Sequence, residues 1–242
     1  MNAVLKELYG SPHVTSRSGK AFPLFPASIG WHKGVSLYEW IRRTRPRVTL
    51  EIGFAFGAST LFICQALEDN GVGQHYVVDP WQTSVWDACG LRHVERAGLS
   101  HRLTFYEVPS YRQLPRLLEQ QLAVDFAFID GQHLVDYALV DGFYTDLLLP
   151  VGGVMVFDDV WMASIRKVVR FLLSNRAYRL IHYTNRLLRG NAAAPWLRSL
   201  MGLALRCRYG AALVRPAFRF EGLLYLQKTQ DDKRSWDWHK DF

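Results

Sequence analysis

The stretch that most constrains this chain is Val48-Thr49-Leu50-Glu51-Ile52-Gly53-Phe54-Ala55-Phe56-Gly57-Ala58-Ser59-Thr60. An apolar, β-prone run carries one acid, passes through two glycines four positions apart, and leads into Leu61 to Leu67, whose apolar residues suit a helix. The pattern is strand, glycine turn, helix. Glycine takes positive φ and has no Cβ, so Gly53 and Gly57 let the backbone turn sharply and approach a ligand closely. Such a bend sets the ligand against free N–H groups at a helix start. Glu51 disfavours a diphosphate guest, because a carboxylate at the strand end repels phosphate and pairs with an ammonium. For this stretch alone, ordinary turn glycines are the competing explanation.

Further along, the same grammar repeats. Gln74 to Asp79 reads as a strand ending in an acid, 28 positions after Glu51, a span that fits one helix and a return strand. Right-handed crossover then sets Asp79 at the same carboxyl edge of a parallel sheet; Pro80 follows, so helix capping is its alternative role. Leu103 to Val108 is a third strand, with a helix over Trp86 to Ala97 before it. Phe126 to Ile129 with Asp130 reads as a buried parallel strand, Leu134 to Leu149 as a helix, and Val154 to Phe157 as a strand closed by Asp158 and Asp159. Carboxylates gathered on one sheet edge call for a cation. A helix from Trp161 to Leu173 follows. Tyr178 to Tyr183 and Phe220 to Lys228 suit a closing antiparallel pair.

Glu-x-Gly-x-x-x-Gly-x-Ser-Thr resembles the first motif of class I S-adenosylmethionine-dependent methyltransferases. Asp130-Gly131-Gln132-His133, a helix, Leu149-Pro150-Val151-Gly152-Gly153 and Phe157-Asp158-Asp159 resemble the bacterial family that includes macrocin and related sugar O-methyltransferases. The resemblance runs from about Gly34 to Asn175. It implies a Rossmann-like, doubly wound α/β fold with a mostly parallel seven-stranded sheet and an antiparallel last strand. The implied cofactor is S-adenosylmethionine, held by Glu51, Gly53, Phe54, Gly57, Ser59, Thr60, Asp79, Trp81, Ser110 and Asp130. Within that set Asp79 takes the ribose hydroxyls and Trp81 lies against the adenine. His32, Lys33 and Ser36 are candidates near the methionine end. Where the family carries a Gly-Asp-Ser-like turn beside the adenine, this chain has Val108-Pro109-Ser110, and only Ser110 matches. In metal-dependent members the positions of Asp130, Asp158 and Asp159 bind Mg²⁺, which suits hard oxygen ligands and would lower the pKa of a substrate hydroxyl. Asp130 and His133 are the candidate catalytic pair. The implied activity is methyl transfer to a hydroxyl of a small molecule, such as a sugar or natural-product glycoside. A metal-free variant, in which the Asp pair caps the next helix and the substrate is lipid-linked or RNA, is the alternative within enzymes, and a noncatalytic binding module is the alternative outside them.

With 242 residues, 49% of them hydrophobic, the chain is long enough for one α/β domain. Residues 1–33 are expected to form an arm over the site mouth, 34–228 the domain, and 229–242 a polar tail. Cys64, Cys89 and Cys207 are isolated, which excludes a disulfide framework and reads as small buried hydrophobes. Met1 to Glu7 lacks a signal-peptide core and no uninterrupted apolar run could span a bilayer, so a cytoplasmic protein is expected.

The net charge of +7 is uneven. From Val160 to Phe220 there is no Asp or Glu but twelve Arg and Lys, leaving 17 basic against all 22 acidic residues elsewhere. Within that stretch, 184–219 reads as a basic amphipathic insertion. It is expected to cap the pocket or make a dimer contact, or to touch an anionic membrane or lipid-linked substrate. Nucleic acid is disfavoured as a partner, because the arginines are mixed with apolar runs and no RNA-binding motif appears.

Overall fold

The computed structural model describes residues 2–184, 222–238 and 240–242. Apart from Thr184, the insertion expected over 184–219 lies outside the described residues. The arm forms helix α1 (Ala3–Gly10), capped by the Asn2 side-chain Oδ1 accepting the Val4 N–H at 2.8 Å, and a hairpin of β1 (His13–Thr15) and β2 (Ala21–Pro23). Val4, Leu5, Leu8, Val14, Phe22 and Leu24 are buried, so the arm is part of the core rather than an appendage.

Helix α2 (Trp31–Thr44) has Gly30 as its N-cap. It buries Leu37 and Ile41 against α3 (Ala58–Asn70). A Cβ on Gly34 would sit 2.1 Å from the Phe62 ring, so the two helices meet where one of them has no side chain. Leu61, Phe62, Ile63, Cys64, Ala66 and Leu67 are all buried, the signature of a helix covered on every side.

Between these helices in the chain runs β3 (Val48–Ile52), an inner strand of a seven-stranded sheet. It pairs in parallel with β4 (Gln74–Val78) on one side, and β4 with β5 (Leu103–Tyr106) beyond it. On the other side it pairs with β6 (Phe126–Ile129), and β6 with β7 (Val154–Phe157), again in parallel. Every residue of β6 and β7 is buried, as strands covered on both faces require. The sheet closes with β8 (Tyr178–Tyr183) and β9 (Leu224–Lys228), β9 running antiparallel to both β7 and β8, for the order β5-β4-β3-β6-β7-β9-β8. The winding direction reverses at β3, so a crevice opens beyond the carboxyl ends of β4, β3 and β6, the place where such sheets take ligands. This is the expected Rossmann-like architecture.

Some element boundaries differ from expectation for a local reason. Helix α4 (Cys89–Arg96) starts three residues later than Trp86, because Asp87 and Ala88 hold positive φ of 49° and 53°. Helix α5 (Ser110–Glu119) follows β5 and was not expected, since Pro115 obscures its periodicity. Helix α6 (Val135–Leu148) agrees within one residue, and α7 (Ala163–Asn175) starts after a turn at Asp159, whose φ is 49°. Cys64 and Cys89 are buried and unpaired; Cys207 lies outside the described residues. No helix among the described residues is long and apolar enough to cross a membrane.

Candidate active site

The crevice contains a cavity of about 1110 Å³, larger than one drug-sized ligand fills. Its floor is the glycine turn. Gly53 has φ 95°, and a Cβ there would lie 2.2 Å from the Asp130 carbonyl oxygen, so the turn after β3 and the loop after β6 touch backbone to backbone. Gly57, at φ 74°, is the N-cap of α3. Between them Ala55 is held at φ 43°, a conformation that non-glycine residues adopt at a cost of roughly 1 kcal/mol.

Asp79 fastens this turn. Its Oδ2 accepts the N–H groups of Phe54 (2.7 Å) and Ala55 (3.1 Å), and its Oδ1 that of Trp81 (2.7 Å). The carboxylate at the end of β4 thus shapes the floor while lining the cavity, a long-range role that spacing alone does not reveal. Gly53, Phe54, Ser59, Trp81, Ser110, Asp130, His133, Asp158 and Asp159, all named from sequence, line the same cavity.

Glu51 and Thr60 stand behind the wall. Glu51 is 0% exposed, on the face of β3 that it shares with Thr49. Its oxygens accept the hydroxyls of Ser59 and Thr60 (2.6 Å for Thr60) and the Nε2–H of His75 at 2.8 Å. His75 is held in turn by Thr49 at 2.8 Å. Instead of reaching for an ammonium, Glu51 locks the first turn of α3 to the sheet and takes up the Ser59 hydroxyl, while Ser59 still lines the cavity.

At the opposite wall, beyond β6 and β7, lies the carboxylate cluster. His133 Nε2 sits 2.9 Å from Asp159 Oδ2 and 3.7 Å from Asp130 Oδ1. Asp130 and then Asp159 raise the His133 pKa well above the ordinary imidazole range. Burial raises the Asp130 carboxyl, reinforced by Asp158 and Asp159. Burial also raises Asp158, opposed by the Lys33 ammonium, whose Nζ stands 2.5 Å from its Oδ1. For Asp159 burial is outweighed by His133 and by the Trp161 Nε1–H at 2.9 Å, so its carboxyl lies below the usual range. Two cationic side chains therefore face three carboxylates.

This donor set fits a divalent cation with one change from the expected trio. Ligand atoms of Asp130, His133 and Asp159 lie within 4.8 Å of one another, whereas Asp158 is engaged by Lys33. Asp130 and Asp159 would supply hard oxygens, and His133 could join only after losing its proton.

Phe25 to Gly30 of the arm line the same cavity, as do Trp161 and Met162. One further contributor was not legible as a site residue. Asp141 on α6 lines the cavity although only 1% exposed, and its Oδ1 finds no hydrogen-bond partner among the described residues. Burial pushes its pKa up to about 6 against a lowering by Ser110. An acid within the buried stripe Ala138, Gly142, Thr145 was the available signal.

Residues 50–160 match the model of a family described as methyltransferase domain. Caffeoyl-CoA O-methyltransferase 2 of Petunia hybrida is 28% identical over 155 residues, covering 57% of this chain and 60% of that protein. The chain spans about half to three fifths of the length of the curated relatives it matches. Among solved structures, an O-methyltransferase from Bacillus cereus in complex with SAH superposes with TM-score 0.60 at 15% identity, over 95% of this chain and 92% of that one. The O-methyltransferase TomG from Streptomyces achromogenes in complex with SAM gives 0.57 at 15% identity, over 95% and 91%. At these identities the structural likeness speaks to the fold.

Proposed function

We propose, from the premise that residues 50–160 are a class I methyltransferase domain, that the protein is an S-adenosylmethionine-dependent O-methyltransferase acting on a hydroxyl of a small molecule, such as a sugar or natural-product glycoside. The observation that carries this reading is the convergence of the glycine turn, Asp79 and Asp130 on one cavity with room for cofactor and acceptor together. The methionyl part would lie over Gly53 and the start of α3, where Ser59 and free N–H groups meet its carboxylate. Asp79 keeps acceptor capacity for a ribose hydroxyl. The sulfonium is already an activated donor: the acceptor oxygen attacks the methyl carbon, the C–S bond breaks, and S-adenosylhomocysteine leaves. What the protein must add is alignment and removal of the hydroxyl proton. Asp130, with His133 beside it, receives that proton.

Mg²⁺, when bound, would polarise the acceptor hydroxyl and lower its pKa. Asp130 and Asp159 would hold it. The Lys33 contact with Asp158 favours a second reading, in which that ammonium supplies the positive charge and no metal is needed. Transfer of labelled methyl from S-adenosylmethionine to a panel of sugar and phenolic hydroxyls tests both. Metal-stripped protein is expected to lose at least about 10-fold in rate and to recover with Mg²⁺. Unchanged rates after chelation would replace the metal reading with the lysine one, and transfer to none of the acceptors would count against the substrate class.

A further inference from the structure

In the turn after β5, Pro109 stands where the family resemblance calls for an acid beside the base, and the turn's own acid, Glu107, accepts the Thr83 N–H and hydroxyl, both at 2.6 Å, yet another acid reaches the cavity from a different element. Asp141 stands on α6, which packs against α5. Ser110, the first residue of α5, is close enough for its hydroxyl to influence the Asp141 carboxyl. On the other side, Asp141 Oδ2 would be 3.4 Å from a Cβ on Gly131. Tyr137, one turn earlier on α6, meets Tyr111 of α5 edge-on with ring centroids 6.1 Å apart, and both rings line the cavity.

This places a buried carboxylate, with one oxygen unpartnered among the described residues, in the cavity lining between Ser110 and the Gly131 backbone. A buried acceptor left without a donor is costly, and proteins keep such groups where a ligand completes them. The ligand must therefore bring an N–H or O–H to this point. Resting on the methyltransferase reading, the chemistry can be named. With the ribose at Asp79 on β4, the base extends toward the next strand outward, β5, and so toward Ser110 and Asp141.

We propose that Asp141 reads the adenine of the cofactor, its Oδ1 accepting the exocyclic amine, and so replaces from α6 the acid that the β5–α5 turn does not supply. Recognition is then by a donor on the base: a purine with an oxo group at that position would set oxygen against carboxylate.

Calorimetry with S-adenosylhomocysteine and with S-inosylhomocysteine, whose base carries the oxo group, tests this on the full chain. Wild-type protein is expected to prefer the adenosyl compound by roughly 100-fold or more. Asp141→Asn, nearly the same shape and able to donate to the oxo group, is expected to bind S-adenosylhomocysteine roughly 10- to 100-fold more weakly and to lose most of the preference. Circular dichroism confirms that the variant is folded, and Asp141→Ser, which restores a small acceptor, serves if it is not. An unchanged preference in the folded variant would overturn the role of Asp141 alone. Failure of the wild-type protein to bind either compound would overturn the methyltransferase reading, and this proposal with it.

Discussion

Replacing Asp130 by Asn is expected to cut methyl transfer by roughly 100- to 1000-fold, while the affinity for S-adenosylhomocysteine changes by no more than about 3-fold. The substitution keeps the shape of the side chain and removes its charge. An amide cannot take the acceptor proton, cannot balance His133 3.7 Å away, and is a poor ligand for a hard cation. The backbone contacts of residue 130, its N–H to Ile52 O at 2.9 Å and its carbonyl against Gly53, do not involve the side chain, so the cofactor floor survives. Initial rates at saturating cofactor, together with calorimetry, separate the two effects. Loss of affinity equal to the loss of rate would mean that Asp130 holds the cofactor rather than serving the reaction.

Gly53→Ala is expected to do the reverse and remove the floor itself. The new methyl would meet the Asp130 carbonyl oxygen at 2.2 Å and carbon at 2.8 Å, both backbone atoms that no rotamer change can move aside, in a residue held at φ 95°. Strain of this kind costs roughly 3 kcal/mol, or a fall in melting temperature of about 6–12 °C for a chain of this length. Cofactor binding should drop below detection. Gly98→Ala is the matched control: its φ is 70° but nothing lies within 4 Å of the added methyl, so about 1 kcal/mol and unchanged binding are expected. Equal effects of the two substitutions would show that the contact with Asp130 does not matter.

Much of this arrangement could be read from the chain before any coordinates. The shared edge follows from strands followed by acids, because each return through a right-handed crossover brings the next acid to the same side of the sheet. Asp79, Asp130, Asp158 and Asp159 are therefore found together. Period alone could not say which way a side chain turns at the strand end. Glu51 points under α3 to His75 rather than into the cavity, since the pleat puts it on the same face as Thr49. Nor could spacing reveal long-range pairs. Lys33 and Asp158 are 125 positions apart, and Asp141 shares its buried helix face with Ala138, Gly142, Thr145 and a second acid, Asp146, which turns instead to Tyr178. Such groups meet only once the sheet has wound.

The central claim is that the turn at Gly53 and the acids ending β4 and β6 build one site for a sulfonium-bearing nucleoside. Titration calorimetry of the wild-type protein with S-adenosylhomocysteine tests it most directly. The account predicts one site per chain, with a dissociation constant of roughly 1–100 μM, competed by S-adenosylmethionine and not by NAD. Absence of heat, or competition by NAD, would contradict it.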